Sequence, residues 1–332
     1  MSLPRLDFSL FLNGDDSERQ KLASELFASL AQHGFVRLVN HGITDSEVNR
    51  LFQWSRSFFG TPIEERIAIQ NVAGPNPQRG WSSLGAENTA KLYEKGFLSK
   101  KVAADLKDAR EHFDWAATSD LTYPNRWPSE EVLPGFRDAM QESFLRLEQV
   151  SLAIMEALEV AMGLPSGAFL GKISHASNAS EMRLLHYPEL DVQEIRKGKV
   201  NRIWPHFDLG VITLLFQDGT GGLEFENREV PGTFSRVECG EHSDMIVNVS
   251  ETLQRWTNNT LRAGLHRVNV PEHLEGKDTG ILPERYSITY FCKANRNASV
   301  GVLKELMPQD MMPMYEDMTA IEYHTRRLQS AY

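Results

Sequence analysis

The chain has 332 residues, 41% hydrophobic and 24% charged, with a formal net charge of −10, the balance of an ordinary globular protein and not of a phosphate-binding surface built from clustered Lys and Arg. Its two cysteines, Cys239 and Cys292, exclude a disulfide framework and a Cys-rich zinc site. No stretch approaches the roughly 20 apolar residues of a membrane span, and neither the N-terminal residues nor the closing LQSAY carries a targeting or lipidation signal. The expectation is a cytoplasmic protein with a small-molecule substrate, no nucleic-acid or membrane partner, and a monomeric or weakly dimeric state.

The first half reads as mostly helical. Leu22, Leu26 and Leu30 step by four between Ser17 and Gln32, with Ser17 as the expected N-cap and Gly34 as the stop. A short strand is predicted at Phe35–Val39 and a helix from Asp45 to Phe59. Asn71 to Thr89 is rich in Gly, Pro, Asn and Ser and reads as a long loop. Between Pro134 and Gly163 a stripe of Phe136, Met140, Phe144, Leu147, Ile154 and Leu158 marks a long core helix. After residue 180 the pattern changes to short strands at Met182–Tyr187, Val211–Phe216, Gly222–Phe225, Phe234–Val237, Met245–Val249, Gly264–Val270 and Tyr286–Cys292, bounded by turn residues. Helices first and strands after, with no linker, predict one α+β domain over 1–332: a mostly helical region at 1–180, a β core at 181–295 and a C-terminal helical segment at 296–332.

Three H-x-D tripeptides occur, at His112-Phe113-Asp114, His206-Phe207-Asp208 and His242-Ser243-Asp244. Two imidazoles and one carboxylate on one face of a metal leave positions open for further ligands, the arrangement that non-haem iron oxygenases use. Side chains two apart on a strand share a face, so H-x-D supplies two of the three donors. His242 sits in a polar, Gly-containing turn. His112 lies in a mixed aromatic and charged stretch with no downstream partner arranged for it. His206 precedes Leu209–Phe216, the most strand-like run of the chain, which puts the pair at the mouth of a core strand. His266, inside Gly264–Val270, is the best third donor; His33, His41, His175, His186, His273 and His324 read as structural or surface residues.

In that order His206-x-Asp208, His266 and Arg285-Tyr286-Ser287 resemble the isopenicillin N synthase-like branch of the Fe(II)/2-oxoglutarate dioxygenases. Further landmarks run along nearly the whole chain: Gly34-Phe35-Val36, Asn40-His41-Gly42-Ile43, Arg79-Gly80-Trp81, Arg183-Leu184-Leu185-His186-Tyr187-Pro188, Thr213-Leu214-Leu215-Phe216-Gln217-Asp218 and Leu253-Gln254-Arg255-Trp256. Fungal members, thymine hydroxylase-like or of secondary metabolism, are nearest in texture. The resemblance implies a double-stranded β-helix (jelly-roll) core braced by N-terminal and central helices. It also implies iron on His206, Asp208 and His266, 2-oxoglutarate on Arg285, Ser287 and Tyr187, and O2 as the third reactant. By position it brings Trp81, His112, Phe113, Arg183, Trp204, Phe207 and Phe291 near the substrate, whose expected class is a small aromatic or heterocyclic molecule, oxidised by hydroxylation, desaturation or ring expansion.

Three departures from the family pattern stand out. Leu185 replaces an Asn that often contacts the co-substrate; Ser250-Glu251 replaces a common Gly-Asp, expected to be no more than a change of helix cap; and the stretch around Glu272–Lys277 is lengthened, expected as an exposed loop. The competing reading is an iron oxidase of the same fold that works without 2-oxoglutarate.

Overall fold

The structure is a computed structural model; it describes residues 2–72, 74, 76–89, 106–307 and 312–329. Two sheets carry the site. Twelve strands make them: β1 (Arg5–Asp7), β2 (Phe35–Val39), β3 (Gly80–Ser82), β4 (Glu111–Ala116), β5 (Glu181–Tyr187), β6 (Ile203–His206), β7 (Ile212–Gln217), β8 (Leu223–Glu226), β9 (Phe234–Arg236), β10 (Met245–Val249), β11 (His266–Val268) and β12 (Arg285–Cys292). The larger sheet runs β1-β2-β10-β7-β12-β5-β4-β3 and the smaller β9-β8-β11-β6. Apart from the parallel edge pair of β1 and β2, the neighbours in both sheets are antiparallel.

The central strands alternate with period two, and the alternation decides which residues see the cavity. From β12, Arg285, Ser287, Thr289 and Phe291 face the space between the sheets, while Tyr286, Ile288, Tyr290 and Cys292 enter the apolar core behind the large sheet. On β5 the inward set is Glu181, Arg183, Leu185 and Tyr187, and Met182 and Leu184 point outward. Strand register locks this arrangement: Arg285 pairs with Tyr187 and Thr289 with Arg183 across β12 and β5, and Ser287 pairs with Gln217 across β12 and β7. A slip of one residue would turn every one of these side chains away.

The outer face is covered by helices whose ends are written in their sequence. The helix Asp16–His33 starts on a capping box between Asp15 and Glu18 and stops at Gly34, whose φ of 76° a side chain would disfavour. The cap is therefore Asp15, two residues before the expected Ser17. The helix Asp45–Phe59 matches its predicted bounds and opens on a Thr44/Glu47 capping box. The long helix Phe136–Met162 lays Phe136, Met140, Phe144, Leu147, Ile154 and Leu158 into the core.

Several expectations change here. The first half is less helical than its pattern suggests, because β1, β3 and β4 also join the large sheet. β3 lies inside the stretch expected as a loop. All six residues of β4 are buried, so no alternation marks it as a strand. The lengthened stretch after Pro271 is exposed except for Leu274, which anchors a short 3-10 turn against Val192 and Leu282.

Phe113, expected near the substrate, belongs instead to an aromatic cluster behind the sheet, with ring centroids 4.6 Å from Phe58, 5.5 Å from Phe136 and 5.6 Å from Trp127. Phe113→Ala should therefore destabilise the fold by about 3–5 kcal/mol, the usual cost of a large core deletion. Urea unfolding would show this, with 2-oxoglutarate binding by the folded fraction unchanged.

Candidate metal and co-substrate centre

His206 ends β6 and His266 opens β11, and the two are register partners in the small sheet. His206 thus closes a strand of its own and does not sit at the mouth of β7, as its sequence neighbours suggest. The two rings lie 4.2 Å apart between centroids. Asp208 Oδ1 is 3.8 Å from His206 Nε2, and Asp208 Oδ2 is 3.9 Å from His266 Nε2. One donor atom from each of the three residues falls within 4.8 Å of the others, close enough for a single ion.

The surroundings fix the chemistry of each donor. His206 Nδ1 lies 2.9 Å from the Trp204 carbonyl and His266 Nδ1 3.0 Å from the Gly264 carbonyl. A carbonyl only accepts, so each Nδ1 carries a proton and each Nε2 is turned toward the shared space. Burial, together with the adjacent His266 ring, lowers the His206 pKa and keeps the imidazole neutral. Asp208 Oδ2 accepts from Thr213 Oγ1 at 2.7 Å and Asn248 Nδ2 at 2.9 Å. Burial alone would raise its pKa, but the two imidazoles and these two donors hold it below the ordinary value. Gly264 is confined by contact: a Cβ there would come within 2.3 Å of the Phe35 ring, so a side chain would disturb the carbonyl that orients His266.

Arg285 is buried at the far end of β12. Its Nε donates to the Gly221 carbonyl at 3.1 Å and its Nη2 to Gln217 Oε1 at 3.1 Å, its Nη1 lies 3.3 Å from Ser287 Oγ, and its guanidinium stacks 4.8 Å from the centre of the Tyr187 ring. Leu185 fills its inward position with hydrocarbon. The cavity, about 140 Å³, is lined by the triad and this cradle together.

The rest of the lining departs from the expected aromatic wall. Arg183, Phe207 and Phe291 line the cavity. Trp81, Trp204 and His112 are not among its described lining residues: the Trp81 indole donates to Glu111 Oε2 at 2.7 Å, the Trp204 indole donates to the Lys107 carbonyl at 3.0 Å, and His112 is buried with Nε2 2.9 Å from Gln78 Oε1. In their place stand charges. Arg183 bonds Asp114 Oδ1 at 2.7 Å and Glu87 Oε2 at 3.0 Å, and Arg110 pairs with the same Glu87. Burial opposes ionisation of Glu87, yet the two guanidinium groups hold its pKa well below the usual carboxylate range. Asp114, with burial outweighing its arginine, is pushed up to about 6. Lys293, Glu181 and His324 also line this cavity. His324 is thus neither surface nor plain packing, as its sequence suggests; an isolated histidine on a polar helix carries no signal that the chain returns it to the cavity.

The donor set, two imidazoles and one carboxylate, suits Fe(II), and a buried guanidinium beside a serine suits a dicarboxylic co-substrate. Comparison with known proteins agrees. Residues 3–130 match the model of the N-terminal region of non-haem dioxygenases in morphine synthesis, and residues 179–294 match that of the 2OG-Fe(II) oxygenase superfamily. The 2-oxoglutarate-dependent dioxygenase ecdK of Aspergillus rugulosus is 44% identical over all of both chains. The 2-oxoglutarate-dependent dioxygenase phqC of Penicillium fellutanum is also 44% identical, over 98% of this chain and 94% of its own. The proline hydroxylase buaE of Petromyces alliaceus is 38% identical over all of both. Among solved structures, a full-length Neurospora crassa protein in complex with alpha-KG and thymine superposes with a TM-score of 0.85 at 28% identity, covering 98% of this chain and 96% of that one. These relatives do not favour an oxidase independent of 2-oxoglutarate. The chain belongs to the 2OG-Fe(II) oxygenase superfamily and is a jelly-roll, 2-oxoglutarate-dependent dioxygenase that uses Fe(II), 2-oxoglutarate and O2.

Proposed function

We propose that this dioxygenase hydroxylates a small, zwitterionic heterocycle of the cyclic amino acid class, with iron held by His206, Asp208 and His266. The observation that carries the substrate reading is the charged wall of Glu87, Arg110 and Arg183 on the cavity. A carboxylate on the substrate can take a guanidinium, and an ammonium can take Glu87, while Phe207, Phe291 and Leu209 supply the apolar contact. The aromatic class expected at first loses three of its supporting side chains, Trp81, Trp204 and His112, to the packing around them. A relative named proline hydroxylase supports the heterocyclic amino acid, and the Penicillium and Aspergillus relatives support a place in fungal secondary metabolism.

Each residue then has a task. His206 and His266 offer Nε2, and Asp208 offers Oδ1, because Oδ2 is already engaged by Thr213 and Asn248. Arg285 and Ser287 hold the distal carboxylate of 2-oxoglutarate, and Tyr187 flanks it under the guanidinium. Leu185 gives no polar contact there, so Arg285 carries more of the affinity. When bound, iron and 2-oxoglutarate supply the oxidation: the 2-oxo acid loses CO2 to become succinate, one oxygen atom of O2 entering succinate and the other the substrate. The protein orients the target C–H bond and keeps bulk water from the reacting atoms.

Succinate formation, iron content and co-substrate affinity test these assignments. His266→Ala and Asp208→Ala should lose iron and succinate formation together. Thr213→Val or Asn248→Leu, which free an Asp208 oxygen without removing a ligand, should weaken iron binding or turnover by about 10–100-fold. Retained iron in all four variants would overturn the ligand assignment. Arg285→Met should raise the KM for 2-oxoglutarate by about 10–100-fold, as expected for losing a charge-assisted pair.

L-Proline is the probe for the substrate class. Glu87→Gln should raise the KM for this amino acid by about tenfold or more while the KM for 2-oxoglutarate holds. An unaltered response to every cyclic amino acid offered, with turnover of an uncharged heterocycle, would overturn the zwitterionic class.

A further inference from the structure

The helix Ala320–Gln329 has two working faces. It opens on Thr319, whose hydroxyl and N–H meet the Glu322 carboxylate at 2.7 and 2.8 Å. His324 and Leu328, four apart and so on one stripe, line the cavity. Tyr323 and Arg327, also four apart on the adjoining stripe, both reach one carboxylate, Glu251. Arg327 grips it through Nε at 2.9 Å and Nη2 at 2.8 Å, and the Tyr323 hydroxyl donates to it as well. The pair is largely shielded, with 13% of the Arg327 side chain and 14% of the Glu251 side chain exposed.

The two ends of the helix are held differently. At its start, backbone bonds from Ala320 and Ile321 reach the carbonyls of Ala298 and Arg296 at 2.9 and 3.0 Å. Toward its end, Glu251 provides the shielded polar hold, beside an exposed pair of Arg326 with Glu316. Glu251 begins the short helix Glu251–Trp256 and its own N–H donates to the Asp208 carbonyl at 2.9 Å. The same short helix binds the segment ahead of the cover, since Gln254 donates to the Tyr315 hydroxyl at 2.6 Å and Arg255 to the carbonyls of Val300 and Glu316 at 2.9 and 2.6 Å. Ser250-Glu251 is thus more than a changed cap, since its carboxylate is the anchor of a distant helix.

We infer that Ala320–Gln329 is a cover over the substrate cavity, hinged near Thr319 and latched on Glu251, with His324 and Leu328 closing it over the substrate. This rests on the reading of the cavity as the substrate site. Opening would break the side-chain bonds to Glu251 and leave the backbone bonds at the hinge intact, and the exposed Arg326–Glu316 pair joins the helix to the segment just ahead of the hinge, which makes the far end the part that moves. Glu251 is a positioning residue for the cover, and closure excludes water from the reacting centre.

The test uses the full chain with Fe(II) and 2-oxoglutarate, first without O2. Hydrogen exchange is compared between wild type and the Tyr323→Phe/Arg327→Met double variant. Amides of 320–329 should exchange about tenfold faster or more in the variant, as expected from losing charge-assisted bonds to Glu251, with β7 and β12 unchanged. Arg327→Lys, which keeps one contact, should fall between the two. With O2 admitted and no substrate added, consumption of 2-oxoglutarate should rise several-fold in the double variant and in Leu328→Ala. The KM for 2-oxoglutarate should stay within about twofold, since Arg285 and Ser287 are untouched. Unchanged exchange at 320–329 in a double variant that has lost the Glu251 contacts overturns the cover. The exchange measurement needs no turnover, so it decides the matter even if the co-substrate assignment fails, which the absence of any succinate from the wild type would reveal separately.

Discussion

The carboxylate of Asp208 is held from two adjacent strands, by Thr213 of β7 and Asn248 of β10, which are themselves register partners. A carboxylate at that depth is stable as an anion only because hydrogen-bond donors and, once loaded, a cation meet it. The neighbouring elements follow from this contact. β7 must run beside β10 in this register, so β12 must lie on the other side of β7, and its alternation then sends Arg285 and Ser287 to the same cavity. The small sheet brings His206 and His266 across from the opposite wall. The triad is therefore a product of two facing sheets, and neither sheet contains a complete site.

The cavity reconciles many charges with little solvent. Arg79, Asp120, Glu181 and Lys293 form linked ion pairs beside it, and Glu87, Arg110, Arg183 and Asp114 form another group. Buried pairs of this kind are poor sources of net stability, because desolvation offsets much of their attraction. Their value lies in geometry. A guanidinium fixed by two carboxylates is held in one orientation, and selectivity toward a small ligand depends on such orientation. The raised pKa of Asp114, about 6, shows that even these pairings leave one carboxylate short of full compensation.

The sequence makes the chemistry legible and leaves the specificity obscure, for physical reasons. The strands that carry His206, His266, Arg285, Ser287 and Tyr187 are bounded by turn residues, and side chains two apart share a face, so their convergence follows from short-range pattern; Asp208 lies just past the end of β6, in the turn toward β7. Helix bounds are legible where caps are local, as at Thr44/Glu47. β4 is not, because all six of its residues are buried and its pattern resembles any apolar run. Trp81, Trp204 and His112 depart from their expected places for a related reason: aromatic type marks burial without telling which side of a sheet is meant. Glu87, Arg110 and His324 reach the cavity through loops and a terminal helix, whose approach no local spacing records.

The same separation governs how such a protein changes substrate. The residues proposed to hold iron and co-substrate all lie on or immediately beside strands whose register ties each to the others, so a change at one disturbs several. The rest of the cavity lining comes from separate places: Gln78 and Glu87 from the stretch before the β4 region, Arg110 just ahead of β4, and His324 and Leu328 from the C-terminal helix. Glu251 ties the C-terminal helix to Asp208, and Asp108 ties Arg110 to Trp204 and so to His206. The first link runs from the Asp208 carbonyl, through the Glu251 backbone and its carboxylate, to the C-terminal helix that lines the cavity. A substitution at Glu251 or Asp108 would therefore reach the triad without replacing any of its three side chains.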